Sequence, residues 1–296
     1  MSAVIDEVAG HPGPHPSAPD PAARIHHRRS VTLTIGAVLV GIVVVVAIVS
    51  FLWLPYAPGD TSGGRLENPD AAHWLGTDKL GRDLLAQVMI GARIALAVGL
   101  GAVAIGAVIG ITLGLLAAFA TTWVDDTVSA ALDILIAFPT LLLAMLIVAA
   151  QGASLGTAIL AIGLAMSAVV ARLTRVLAKR VLSEQYVTAA RTSGTGWFGI
   201  VGRHILPNIW PTLSVNLALQ FGVAVLAEAS LSYLGLGAPP PNASWGRLLQ
   251  EAQGTVSVAP AGAIAPGVAL VILVIGVNLV ADGLRDVADP TRRRSR

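Results

Sequence analysis

SEQYVTAARTSGTGWFGIVGRHILPN, residues 183–208, separates two long apolar runs, 157–176 and 209–231. A connection between neighbouring helices is ordinarily a few residues long. This one is about five times that length, carries Arg191, Arg203 and His204, breaks at Gly194-Thr195-Gly196 and closes on Leu206-Pro207-Asn208. Both sides of the glycine break are compatible with helix. The pattern predicts two short helices about a glycine hinge, presented as a docking element at a membrane face.

Outward from this segment the chain is apolar. Of 296 residues, 55% are hydrophobic and 12% are charged, which excludes an ordinary soluble globular fold. The apolar residues group into six runs: 31–54, 94–120, 134–150, 157–176, 209–231 and 261–281. About 20 residues of helix cross a hydrocarbon core of roughly 30 Å. No water inside that core can satisfy the backbone, so each run is expected to be helical. The first run is too long for the apolar part of a cleavable signal, and no small-residue cleavage site follows Trp53-Leu54-Pro55. With no cysteine, disulfides, thiolate metal sites and a cysteine nucleophile are excluded.

Lys and Arg divide unevenly over these six spans. Fourteen of the nineteen fall on the side of both termini and the 183–208 loop; Arg65, Lys79, Arg82, Arg93 and Arg247 make up the other side. The positive-inside rule predicts both termini and that loop in the cytoplasm. The net charge of +2 is thus a topology signal. Basic residues interleaved with aromatics are lacking, and no nucleic-acid partner is expected.

The expected organisation follows. Residues 1–29 form a disordered cytoplasmic tail whose His11, His15, His26 and His27 have no metal-site spacing. Residues 30–54 are the first transmembrane helix. Residues 55–92 are an external segment with an interfacial helix, N-capped by Thr77 and apolar along Leu80, Leu84, Leu85 and Val88. Residues 93–283 hold the remaining five transmembrane helices, a short loop at 121–130, the cytoplasmic loop 183–208 and an external loop 232–260 stiffened by Pro239, Pro240 and Pro241. Residues 284–296 are a basic cytoplasmic tail.

Several residues stand out within the spans. Gly106, Gly110 and Gly114 repeat every fourth position, a small-residue stripe that lets another helix approach closely, within the chain or from another subunit. Pro139 predicts a kink in the third span. Asp133 and Glu228 lie at or inside spans, where an acid marks either a transport pathway or a structural hydrogen bond.

Two familiar strings lack their context. Gly194-Thr195-Gly196-Trp197-Phe198-Gly199 has the spacing of a dinucleotide fingerprint, but a helix-like segment precedes it where a strand is required. Gly152-Ala153-Ser154-Leu155-Gly156 has the spacing of a nucleophile elbow, but lies in a hairpin between spans; a hydrolase using Ser154 with His73 and Asp78 stays formally open. There is no phosphate-binding G-x-x-x-x-G-K-[ST] loop.

Three blocks share one likeness. Tyr186-Val187-Thr188-Ala189-Ala190-Arg191, Gly194 and Ile205-Leu206-Pro207-Asn208 resemble the EAA loop of ABC-importer permeases. His73–Asp83 (HWLGTDKLGRD) and Leu231–Arg247 (LSYLGLG, then PP and SWGR) resemble the dipeptide, oligopeptide and nickel subfamily, in its C-type subunit. One position departs: the glutamate usual before the alanine pair is Thr188, and Glu184 stands one helical turn earlier.

The resemblance implies an all-α integral membrane protein with the type I ABC-importer permease fold, six transmembrane helices and both termini inside. It implies a non-catalytic subunit that binds no cofactor, ATP and Mg²⁺ residing on a partner ATPase. Its partners would be a second homologous permease subunit, two ATP-binding cassette domains or subunits, an external substrate-binding protein and membrane lipid. Glu184, Tyr186, Thr188, Ala189, Ala190, Arg191, Gly194, Leu206 and Pro207 would couple to the ATPase. Di- and oligopeptides are the expected cargo, with nickel or another small solute as the alternative. The readings from a different class are an ion-coupled carrier using Asp133 and Glu228, or the hydrolase above.

Overall fold

The computed structural model describes residues 31–239 and 242–288. The N-terminal tail with its four histidines, Pro240, Pro241 and the arginines at 292–296 lie outside the described residues. Ten α-helices are present among the described residues: α1 (Val31–Leu52), α2 (Leu84–Phe119), α3 (Thr122–Ala137), α4 (Thr140–Gln151), α5 (Leu155–Leu182), α6 (Gln185–Thr192), α7 (Trp197–Ile200), α8 (Leu206–Tyr233), α9 (Trp245–Ala252) and α10 (Ala261–Ala288). No strand occurs among the described residues. Helices α1, α2, α5 and α10, and the α7–α8 unit from Trp197 to Tyr233, are long and apolar enough to cross a membrane; α3 and α4 make a sixth span if counted together.

Close helix packing without a large polar interior depends on small residues. The α2–α5 seam runs along the predicted glycine stripe. A Cβ at Gly110 would lie 2.6 Å from Val170 Cβ, and one at Gly114 would lie 2.5 Å from the Ala171 carbonyl oxygen. Gly106 faces Gly163 at the same seam. The stripe thus serves packing within this chain. A second small-residue seam joins α1 to α10, where a Cβ at Gly36 would meet Val280 N at 2.6 Å and one at Gly283 would meet Leu33. Ile90, Ile94, Val98, Ile162, Met166 and Leu231 fill one core between α2, α5 and α8; Val43, Val225, Trp245, Leu273 and Val277 fill another around α1 and α10.

Three expectations need correction. The interfacial helix capped by Thr77 does not form. Asp78 Oδ1 instead accepts from the backbone N–H of Leu80 and Arg82, folding the chain into a turn. Thr77 Oγ1 donates to the Gly64 carbonyl, and α2 begins only at Leu84, where Asp83 Oδ1 accepts from Ala86 N at 2.7 Å. The loop placed at 121–130 is helix from Thr122 onward. The third span is not one kinked helix: α3 and α4 meet at 88°. Pro139 supplies no N–H, and it forces Phe138 out of the helical region to φ −75°, ψ 131°.

At the end opposite the 183–208 hairpin, residues 55–83 and 242–260 form a cap without long helices. His73 Nδ1 pairs with Asp83 Oδ2 at 3.0 Å beneath the stacked ring of Tyr56. Arg82 bridges Asp78 and Glu251, Arg247 also reaches Glu251, and Trp245 Nε1 donates to the Val88 carbonyl. The two cap segments are therefore tied to each other by charge, and the second is tied to α2 by a buried indole.

Candidate functional site

The hairpin is built from its backbone outward. Lys179 and Arg180 occupy the last turn of α5, where cations complement the helix dipole. The chain turns at Ser183 and restarts at Glu184 as α6. That helix closes with two crossed bonds: Thr195 N–H donates to the Ala190 carbonyl and Gly194 N–H to the Arg191 carbonyl, each at 3.0 Å. This Schellman arrangement needs a left-handed residue one place past the cap, and Gly194 provides it at φ +84°. A Cβ there would meet nothing within 4 Å, so the requirement for glycine is conformational, not steric.

The second half is continuous with a membrane span. α7 passes through a π-helical turn, Val201–Ile205, directly into α8. Pro207 explains the turn. It has no N–H to give the carbonyl four residues earlier, and its ring crowds that carbonyl. The wider turn lets Leu206 N–H donate to the Val201 carbonyl, and Asn208 Nδ2 donates to that of His204. Leu206 itself is half-buried against the apolar layer below.

That underside is dry. Val187, Ile200, Val201 and Ile205 are buried with Leu115, Ala118, Ala178, Ile209 and Leu213. The upper side is open: Glu184, Tyr186, Thr188, Ala189, Arg191, Gly194 and Pro207 are exposed, Ala190 is half-buried, and Phe198 is 83% exposed. In α6 only Val187 is buried. Burying one valine contributes about 1.5–2 kcal/mol, and an eight-residue helix is marginal alone. Ring contacts supply the rest. Tyr186 leans on His204 across the hairpin at 6.0 Å, and Arg191 lies 5.8 Å from the Phe119 ring, which meets Trp197 edge-on at 5.5 Å.

The remaining predicted residues are not in the hairpin. Asp133 pairs with Arg172 of α5 at 3.1 Å, both side chains more than half exposed. Glu228 is buried near the cap end of α8 and accepts from Ser232 Oγ at 2.6 Å. Ser154 caps α5: its Oγ accepts from Thr157 N–H, and no hydrogen bond joins it to His73 or Asp78 among the described residues. His73 and Asp78 have their own partners in the cap. Among the described residues no group of three His, Asp or Glu side chains has metal-site geometry.

One cluster beside the hairpin escapes the sequence reading. Asp125 of α3 is buried and receives both nitrogens of Arg175, at 2.5 and 2.7 Å, together with Lys179 Nζ. The cue was available in the i, i+4 spacing of Arg175 and Lys179, which puts two cations on one face. Asp125 itself lies 50 residues from Arg175 and 54 from Lys179, with no local signal that joins them.

The geometry is that of an apolar bundle with an exposed two-helix hairpin rooted in two spans, α5 and α8. Residues 110–294 match the family described as binding-protein-dependent transport system inner membrane component. A glutathione transport system permease protein of Pectobacterium atrosepticum is 39% identical over 260 residues, 86% of each chain. The chain belongs to this family. A dipeptide transport system permease protein of Alkalihalophilus pseudofirmus is 37% identical over 257 residues, 86% of this chain and 84% of its own. A putative peptide transport system permease protein of Brucella suis is 40% identical over 270 residues, 91% and 90%. This binding-protein-dependent component is an inner-membrane transport protein with the type I ABC-importer permease fold.

Proposed function

We propose that the chain is a permease subunit of an ATP-driven importer of di- and oligopeptides, and that the 183–208 hairpin is where an ATP-binding subunit grips it. The observation that carries the reading is the exposed hairpin whose two halves run into α5 and α8, in a chain similar to glutathione, dipeptide and peptide permeases. Glu184, Tyr186, Thr188, Ala189, Ala190 and Arg191 form the first gripping helix, with Gly194 as the turn. Leu206 and Pro207 root the second.

The physics of coupling is simple. A partner that closes on ATP binds one bundle arrangement better than another, and shifts the population by that difference. The hairpin moves as one body because its underside is packed and its turn is fixed by crossed backbone bonds. Motion at α7 reaches α8 through an unbroken helix. The chain itself breaks no bond and binds no cofactor; ATP and Mg²⁺ sit on the partner. A second homologous permease, an external binding protein and surrounding lipid complete the assembly, with the hairpin in the cytoplasm by its Lys and Arg.

The test is reconstitution of the chain with its partner subunits in vesicles. Dipeptide uptake that requires ATP and disappears with Gly194→Pro is expected, with nickel uptake as the control. Uptake by this chain without an ATP-binding subunit overturns the reading.

A further inference from the structure

The spanning helices differ in the chemistry of the residues they leave exposed or half-buried. α1 exposes Ile35, Val38, Ile42, Val45 and Ile48, and α10 exposes Ile264, Val268, Val271 and Ile275. These are surfaces for lipid. α8 is different. Its packed side carries Leu213, Ala224, Val225, Glu228 and Leu231. Thr212, Asn216 and Gln220 follow at four-residue intervals in the row that leads on to Ala224 and Glu228; Thr212 is exposed and Asn216 and Gln220 are half-buried, a strip rising about 12 Å through the half of the helix nearest the hairpin.

The serines of α8 bond to their own helix or its acid: Ser214 to the Pro211 carbonyl, Ser230 to that of Leu226, Ser232 to Glu228. The side chains of Thr212, Asn216 and Gln220 make no hydrogen bond among the described residues, and Asn216 Oδ1 is buried without a partner. Half-buried polar side chains without partners are costly within a spanning helix, so a strip of them points to water or to a polar ligand. The strip is also neutral, because the one charged side chain of α8, Glu228, is buried and bonded to Ser232.

We propose that Thr212, Asn216 and Gln220 line the translocation pathway and exchange hydrogen bonds with the backbone amides of the passing peptide. The inference rests on the permease reading above and assigns the pathway within it. Amide groups offer both donor and acceptor, which matches a peptide backbone whatever its side chains. A neutral wall also lets a zwitterion pass without trapping either terminus.

The chain has no native cysteine, which makes the test direct. Thr212→Cys, Asn216→Cys and Gln220→Cys, with Ile42→Cys and Val271→Cys as lipid-facing controls, are placed singly in the reconstituted full transporter. A membrane-impermeant thiol reagent is expected to modify the first three and not the controls, and dipeptide to slow that modification. Asn216→Leu and Gln220→Leu are expected to raise the KM for dipeptide by about tenfold, the loss of a hydrogen bond in a desolvated site, while ATPase activity stimulated by the binding protein persists. Equal silence of all five cysteines, a disulfide from position 216 to the second permease, or an unchanged KM in both leucine variants overturns the assignment. Failure of the permease reading shows up separately, as absence of ATP-dependent uptake by the unaltered complex.

Discussion

α6 and α8 end in the same way: Gly194 at φ +84° and Gly235 at φ +80°, each with a 6→1 and a 5→2 backbone bond closing the helix. A Cβ at either glycine would meet nothing within 4 Å, and the difference lies in the chain that follows. Beyond Gly235, a Cβ at Gly237 would lie 1.8 Å from Ser232 Oγ, and one at Gly246 would lie 2.0 Å from the Ala229 carbonyl oxygen. Beyond Gly194, Gly196 and Gly202 face nothing within 4 Å. The cap is therefore held by close contacts at Gly237 and Gly246, and the hairpin by its own backbone and one apolar face. A scaffold needs the first arrangement. A surface that a partner must reach needs the second.

The largest break in that comparison is expected at Gly246. Gly246→Val forces a side chain against the Ala229 backbone, where no flexible neighbour can yield. The cost is placed near the top of the overpacking range, about 3 kcal/mol. Heating the solubilised protein and following its tryptophan fluorescence is expected to show a clearly lowered transition. Next comes Asp83→Ala, which removes both the cap on Ala86 N–H and the partner of His73. A lost cap with a buried imidazole left unpaired costs about 2–3 kcal/mol, and the same melting experiment reads it.

The hairpin responds on a smaller scale. Gly194→Ala places a side chain in free space but in a left-handed conformation, costing about 1 kcal/mol. Faster hydrogen exchange at the Gly194 and Thr195 amides is expected, with the cap unchanged. Gly194→Pro also removes the N–H that donates to Arg191. It is expected to leave membrane insertion intact and to abolish co-purification with an ATP-binding partner.

The same contrast explains what was legible beforehand. Gly194 and the Gly106, Gly110 and Gly114 stripe are visible in sequence because each follows from one local rule, a turn conformation or a repeat every fourth residue. The cap is not, because its order depends on partners far apart in the chain. Arg82 finds Glu251 and Val88 finds Trp245, while local patterning around Thr77 and Leu80 suggests a helix that the Asp78 turn overrides. Pro139 is an intermediate case: a proline announces a disturbance, and only the placement of α4 against α5 and α8 makes it an 88° break. In this respect Asp125 belongs with the cap residues, because its cations Arg175 and Lys179 lie 50 and 54 residues further on.

Thr188 tests the exposed side of the hairpin with the least structural disturbance. It lies on the open face of α6, makes no side-chain hydrogen bond among the described residues, and replaces the glutamate usual in EAA loops. An exposed polar change on a helix shifts stability by no more than about 0.5 kcal/mol, so Thr188→Glu is expected to leave melting and hydrogen exchange unaltered. Its effect belongs to the interface. A glutamate there stands one turn from Glu184 and three residues from Arg191, so its charge is partly answered within the hairpin. If the partner has evolved with Thr188, the added carboxylate meets no matching cation and co-purification weakens modestly. That loss would be relieved by raised salt only if it comes from repulsion between charges. Weakening that salt leaves unchanged would locate the fault in the fit of the side chain, and the grip would then depend on the shape of α6 more than on its charge.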